Sequence, residues 1–305
     1  MQIISLQPSV SVILDRLGSL DMLAACTRYC LDAVPSLRER HLPIVRDSWS
    51  TRIEELLPFA PGAAHPTNGG SYMNFDPSLH AEFSQWPREQ PDGRPILVIA
   101  SVPYRVESLA AILKSGHPVL ALAPHTLTDV FTDIRHISHI IDVGPKGDAV
   151  ITEMQAAIEA VHLQAKNIPS RPLVYCEEWG KPLIHSQPWV AELIEIAGGT
   201  FLGTPGATTT PEAVAAANPD VILTAWCGAG NRVPLEKIIA QRGWQHLSAV
   251  RQGRVYCIAD ELLNTPAPTL IPGLHAIAGA IHPDVFGAPG KPSVRRIDQI
   301  STSTV

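Results

Sequence analysis

The sequence predicts an α/β protein of two lobes joined by a single long helix. Three observations carry that prediction. Short apolar strands alternate with amphipathic helices, the alternation is interrupted once by a long helical stretch, and it then starts again. The chain of 305 residues also exceeds one ordinary domain of about 150 residues. The lobes are placed at 1–144 and 169–305, with the joining helix at 145–168.

The elements follow in order. Ile3-Ile4-Ser5-Leu6 reads as a strand, and Pro8-Ser9 opens a helix whose Val10, Ile13, Leu14 and Leu17 share one face before Gly18 stops it. Leu23 to Cys26 is the next strand and Ile96 to Ala100 the third. A helix then runs from Val106 to Lys114, a strand from Pro118 to Leu122, and a helix from Leu127 to Ile137. Between the second and third strands, residues 61–95 are rich in Pro, Gly and polar side chains and read as a surface excursion. Asp148 to Lys166 keeps the 3.6-residue period through Val150, Ile151, Met154, Ala157, Ile158 and Val161. At 1.5 Å per residue such a helix spans roughly 30 Å. The second lobe reads as strand Leu173–Cys176, helix Trp189–Ala197 closed by Gly198-Gly199, strand Val221–Thr224, helix Pro234–Ala240, strand Val255–Ile258 and helix Leu270–Ile281.

Composition narrows the function. Hydrophobic residues make up 45% of the chain and charged residues 17%, which gives enough apolar material for a sizeable core and argues against disorder. Lys plus Arg is 23 and Asp plus Glu is 29, a net charge of -6, which disfavours nucleic acid and anionic membranes as partners. No run of about 18 apolar residues marks a membrane span. The opening Gln-Ile-Ile-Ser-Leu reads as a strand and not as a secretory leader.

Several chemistries lack their motifs. There is no P-loop, no HExxH and no GxSxG. Gly228-Ala229-Gly230-Asn231-Arg232-Val233 is half a dinucleotide fingerprint without its third glycine, and reads as a helix-entry loop. Cys26 and Cys30 have the wrong spacing for a zinc knuckle; Cys26 reads as a small core hydrophobe and Cys30 as a loop thiol. His136 and His139 share a solvated helix face, and no metal site is predicted.

The aromatic residues are few, at 6%, so their placement is informative. Tyr29, Trp49, Tyr104, Trp179 and Trp226 follow predicted strands, and open parallel sheets bind ligands outside the carboxyl ends of their strands. Rings there from both lobes would line a cleft and stack on a broad, flat guest. Trp226, continuous with an apolar strand, reads instead as a plug against its own core. Glu177-Glu178 is an acidic pair at a strand end. Neighbouring strand residues face opposite ways, so at most one faces a ligand and the other reads as a solvated loop carboxylate.

Several of these segments, taken in order, carry a resemblance. Ile3 to Ser9, Thr27-Arg28-Tyr29-Cys30, Val45 to Trp49, Glu178-Trp179-Gly180-Lys181-Pro182, Trp189 to Leu193, Ala197-Gly198-Gly199, Asn218 to Ile222, Arg251 to Tyr256 and Asn264 to Pro268 together resemble the cobalamin-type branch of the class III solute-binding proteins of ABC importers. The resemblance implies two Rossmann-like lobes on either side of one helix, no enzymatic activity, and capture of cobalamin or a related corrinoid between the lobes. It implies ligand contacts at Tyr29, Trp49, Glu178, Trp179 and Glu261 (or its neighbour Asp260), to which the strand-end placement of the aromatic residues adds Tyr104. It implies permease docking through Glu54 (or Glu55) and Glu212. Both docking positions lie early in predicted helices, where the helix dipole alone also favours a carboxylate. The sequence has Gly206 near the place where a second-lobe stacking ring is expected, and the excursion adds Tyr72, Phe75 and Trp86.

The resemblance implies a monomeric, extracytoplasmic protein without membrane insertion, partnered by an ABC permease. Two alternatives stand beside the corrinoid reading: a haem or metal-siderophore ligand on the same fold, and a cytosolic protein handling a metal or corrinoid through Cys30, Cys176 or Glu178.

Overall fold

A computed structural model describes residues 1–50, 56, 95–101, 106–290 and 293–297. Tyr104, Glu54, Glu55 and nearly all of the 61–95 excursion lie outside the described residues. The chain divides into two compact units, one made of 1–123 with 140–143 and the other of 124–139 with 144–305.

The first unit is a five-stranded parallel sheet. Its strands are β1 (Gln2–Ser5), β2 (Leu23–Thr27), β3 (Ile44–Val45), β4 (Ile96–Ser101) and β5 (Val119–Leu122), in the spatial order β3-β2-β1-β4-β5. The helix α1 (Pro8–Arg16) crosses from β1 to β2, α2 (Arg28–Ala33) follows β2, and α3 (Val106–Leu113) joins β4 to β5. A central parallel strand has both faces covered and must be apolar throughout. The run Ile3-Ile4 satisfies this, with both side chains fully buried. Ile4, Leu6, Ala25, Val98 and Ile112 form the core on one side of the sheet. The connections leave β1 toward β2 on one side and return to β4 on the other. The boundary between β1 and β4 is therefore the point where the strand order reverses.

The second unit carries α4 (Leu127–Ile140, but for its last residue) and α5 (Gly144–Ala165), followed by a seven-stranded sheet. The helix α5 starts four residues before the apolar period predicts. Pro145 is tolerated in a first turn, where its missing N–H costs nothing. Gly147 lets the turn seat on α4, because a Cβ there would fall 2.1 Å from Ser138 Oγ.

The strands β6 (Leu173–Gly180), β10 (Val221–Thr224) and β11 (Val255–Ile258) are parallel, and β12 (Val294–Arg296) closes one edge antiparallel. On the other side of β6, its first residues pair with β8 (Thr200–Phe201) and its last with β7 (Leu183–His185), which pairs in turn with β9 (Thr208–Thr209). The helices are α6 (Pro188–Ile196), α7 (Pro211–Ala217), α8 (Leu235–Arg242), α9 (Ser248–Arg251), α10 (Leu270–Ile281) and α11 (Pro283–Phe286). The chain leaves β6 for β8 on one side and then crosses to β10 on the other, so this sheet reverses its order between β6 and β10. Tyr175, Ile222, Val233, Ile239, Trp244 and Val255 lie in the core on one face.

Two sequence expectations need correction. Strand β6 does not end at Cys176 but runs to Gly180, because its last residues find partners in the β6–β7 hairpin. Trp179 is therefore part of a strand and not of a following loop. Cys30 is not a loop thiol: it lies in α2, fully buried, with Sγ 3.3 Å from Thr27 Oγ1 and 3.7 Å from Ser5 Oγ. The two hydroxyls give a buried thiol polar company that spacing alone does not reveal.

Candidate functional site at the sheet switch points

In the first unit the loop after β3 is fastened directly across the reversal point. Ser48 is buried; its N–H and hydroxyl both donate to the Leu6 carbonyl, at 3.0 and 3.2 Å. Its oxygen accepts the Ser101 N–H at 3.1 Å. One side chain thus ties the end of β1 to the end of β4. The next residues form a tight turn in which Asp47 Oδ1 accepts the N–H groups of Trp49 and Ser50 and the Ser50 hydroxyl. The Ser108 hydroxyl donates to the Trp49 carbonyl at 2.9 Å. The backbone is pinned on all sides while the Trp49 side chain stays 45% exposed. Tyr29 lies in the first turn of α2, half-buried, with the Arg28 guanidinium 4.9 Å over its ring.

In the second unit β6 and β10 meet at the corresponding reversal point, and Glu177 and Glu178 take different roles there. Glu177 is completely buried. Arg242 from α8 grips it with two nitrogens at 2.8 and 3.0 Å, the Tyr175 hydroxyl donates to it at 2.6 Å, and Trp226 Nε1 donates at 2.7 Å. Four donors on one carboxylate satisfy a buried charge, which desolvation would otherwise penalise heavily. Burial first, then the Glu177 charge, pushes the Tyr175 phenol well above its ordinary range and keeps it a donor. Trp226 packs against the core, with its ring lying over Gly180.

Glu178 faces the other way. It accepts Gln187 Nε2 at 2.6 Å and the Cys227 thiol at 3.6 Å, and its pKa is raised because burial disfavours the anion. Asn264 donates to the Ala225 carbonyl at 2.6 Å and to Cys227 Sγ at 3.3 Å, while its own Oδ1 is buried without a partner. Burial and then the Glu178 charge push the Cys227 thiol far up, so it stays protonated near neutral pH. Asp260 accepts the N–H groups of Gly228 and Gly230 at 2.8 and 2.6 Å and braces the loop after β10. Neighbouring Glu261 is half-buried in the same short 3-10 turn.

The expectation that one glutamate of the pair is a solvated loop carboxylate is therefore wrong. Neither is in a loop, and both have specific donors. The counter-charge comes from Arg242, 65 residues along the chain, which strand-end reasoning does not locate. Ser48, Gln187, Cys227 and Asn264 were missed as site residues, although Asn264 opens a segment of the resemblance.

Trp179 closes the arrangement. It is 44% exposed, its Nε1 donates to the Lys181 carbonyl at 2.9 Å, and it walls a cavity of about 670 Å³ within this unit. Trp226, Ile238, Lys181, Lys237 and Arg242 also line that cavity. Glu212 stands exposed in the first turn of α7, its carboxyl lowered by a hydrogen bond from its own backbone N–H and another from Thr210. Among the described residues no three His, Cys, Asp or Glu side chains converge as metal ligands would, and no helix is long and apolar enough to cross a membrane.

Residues 92–262 match the family model described as periplasmic binding protein, more than half of the chain. The chain belongs to the periplasmic binding protein family. A curated relative, the uncharacterized ABC transporter substrate-binding lipoprotein YvrC of Bacillus subtilis, is 24% identical over 205 residues, or 63% of this chain. The chain spans 64% of that relative's length.

Solved structures extend the likeness over nearly the whole fold. The periplasmic heme-binding protein RhuT from Roseiflexus sp. RS-1 gives a TM-score of 0.70 at 22% identity, covering 93% of this chain and 98% of that one. A periplasmic heme binding protein from Pseudomonas aeruginosa gives 0.74 at 18%, covering 97% and 98%. The periplasmic vitamin B12 binding protein BtuF of Vibrio cholerae gives 0.64 at 21%, covering 92% and 96%. The fold is thus that of the class III periplasmic binding proteins, as the sequence predicted. At these identities the family members share an architecture, and their ligands belong to them.

Proposed function

We propose that this chain is the solute-binding component of an ABC importer, working outside the cytoplasm, and that it takes a bulky planar metal chelate, with cobalamin or a related corrinoid as one reading and a haem-type macrocycle as the other. One observation carries the reading: each unit, taken by itself, holds a half-exposed tryptophan on backbone anchored at or beside its own switch point. Large flat indole faces suit a broad ring system and contribute contact area without demanding a particular hydrogen-bond pattern. Tyr29 and Tyr104 are proposed as further contacts of the first unit, and Glu178 and Glu261 as polar contacts of the second. Glu54 and Glu212 are proposed to meet cationic side chains of the permease, where such pairs chiefly steer and orient the encounter.

The reading is of capture and release without turnover. Two thiols are held protonated, Cys176 near a pKa of about 12 through burial and Cys227 through burial beside Glu178. At Cys30 burial raises the pKa, but hydrogen bonds with Cys26, Ser11, Thr27 and Ser5 outweigh it and lower the thiol below its ordinary value; that side chain is fully enclosed and presents no surface to a substrate. A haem-type macrocycle is the second reading, favoured by the cationic groups around the Trp179 cavity.

Tryptophan fluorescence during titration with cyanocobalamin, haemin and a ferric siderophore tests the proposal. Saturable quenching by a macrocycle is expected, and Trp49→Ala and Trp179→Ala should each weaken it. A protein whose fluorescence responds to none of the three would overturn it.

A further inference from the structure

The cavity beside Trp179 lies wholly within the second unit and has an uneven chemistry. Its walls are apolar: the indoles of Trp179 and Trp226 with Leu183 and Ile238. Its charged lining is cationic, from Lys181, Lys237 and Arg242, and no acidic side chain lines it among the described residues. The three cations are not equivalent. Arg242 is committed to Glu177 through both nitrogens and is only 10% exposed. Trp226 Nε1 is committed to the same carboxylate. Lys181 and Lys237 are exposed, and neither makes an ion pair among the described residues. The cavity therefore offers a flat apolar wall and two ammonium groups that make no ion pair among the described residues.

The chain as a whole has a formal charge of -6, so its overall field repels anions. Attraction for an acidic guest must come from a local concentration of positive charge such as this one. Resting on the reading that the protein binds a planar macrocycle, we propose that this cavity receives the acidic edge of that guest. The ring lies along Trp179, and Lys181 and Lys237 meet carboxylates at its periphery. The favoured ligand class is a carboxylate-bearing macrocycle. A guest fringed by neutral amides would leave both ammonium groups without partners.

The probes that decide this differ only in charge: iron(III) mesoporphyrin with its two free propionates, and the dimethyl ester of the same compound. Binding is read by tryptophan quenching, with cyanocobalamin as a third ligand. The full chain should bind the free acid about tenfold tighter than the ester, and the preference should shrink as salt is raised. The Lys181→Gln/Lys237→Gln double variant removes only exposed groups. It should bind the ester like the parent and lose the preference for the acid. Trp179→Ala should weaken acid and ester alike.

Equal binding of acid and ester by the parent, or an unchanged preference in the double variant, would overturn the proposal. Quenching by cyanocobalamin with none by either porphyrin would overturn it while leaving the solute-binding reading in place. Silence with all three ligands would remove this proposal together with the planar-macrocycle reading on which it rests.

Discussion

Arg242 holds Glu177 in a two-pronged grip, with nitrogens 2.8 and 3.0 Å from the two carboxylate oxygens, at a place where the carboxylate has no access to water. The pair joins α8 to β6, and Trp226 and Tyr175 complete its shell, the first from the loop after β10 and the second from β6 itself. The grip is what allows a charged residue to sit at the centre of a sheet beside Trp244, whose ring also lies 4.8 Å from the Arg242 guanidinium. It fixes the inner wall of the cavity and frees Glu178, the next residue, to face the opposite side.

Removing one member should therefore cost more than removing both. Arg242→Met leaves Glu177 buried and uncompensated, and a loss of about 3–5 kcal/mol is expected on that ground. Arg242→Lys should restore little of it, because an ammonium cannot supply the parallel pair of donors. The double variant Glu177→Gln/Arg242→Met should be more stable than Arg242→Met alone. Urea denaturation of the four proteins measures this directly. A single variant as stable as the parent would show that the pair contributes nothing.

Glu178 gives the stability a pH dependence of known sign. Burial raises its pKa in the folded protein, so the fold holds that proton more tightly than the unfolded chain does. The stabilisation is fully present below the unfolded carboxylate pKa of about 4.3 and is lost as pH rises through the raised folded value. Glu178→Gln abolishes this titration and retains an acceptor for Gln187. Its stability relative to the parent should increase from acid to neutral pH. Asp133, raised to about 7 first by burial and then by the Asp129 charge, and Glu192, raised by burial, drift in the same direction in both proteins. The difference between parent and variant therefore isolates Glu178. A constant difference from pH 4 to pH 8 would refute the assignment.

How much of this was legible beforehand depended on the range of the interaction. Periodicity placed the strands at Val221–Thr224 and Val255–Ile258 and the helix at Leu270–Ile281 without error, because a buried apolar run carries its own signal. The extension of β6 through Glu178 and Trp179 did not show, because those polar and aromatic residues are strand only by virtue of the β7 partner that pairs with them. The exposed tryptophans stood out as aromatic residues at strand ends. The serine that anchors one of them did not, because nothing in Asp47-Ser48-Trp49 says that Ser48 will reach both Leu6 and Ser101. Local patterns revealed the scaffold; the site required contacts between distant segments.

Ser48 therefore carries a prediction of its own. Ser48→Ala removes the hydroxyl that accepts from Ser101 and donates to Leu6. A partly buried N–H then loses its acceptor, at a cost of up to about 1–3 kcal/mol. The Trp49 turn should loosen, because its backbone reaches the sheet through that residue. Lower stability with weaker ligand quenching is expected. A stable variant with parental affinity would mean that Trp49 is placed by other contacts.

Gly180 decides whether the indole wall is set by sterics. A Cβ at Gly180 would fall 2.3 Å from Trp226 Cζ2 and 2.7 Å from Cη2, far inside contact distance, while the Trp226 Nε1 is held 2.7 Å from Glu177. Gly180→Ala should push the ring aside, strip one donor from the buried carboxylate and deform the cavity wall. Overpacking alone costs roughly 1–3 kcal/mol. Gly243→Ala is the matched control. Gly243 has a φ of +67° and nothing within 4 Å of its Cβ position, so the substitution meets only the left-handed backbone penalty of roughly 1–2 kcal/mol. Both variants should therefore be destabilised in urea, but only Gly180→Ala should also change the near-ultraviolet signal of the folded protein and its affinity for a macrocycle. If the two behave alike, close packing of Gly180 against Trp226 does not hold the wall in place.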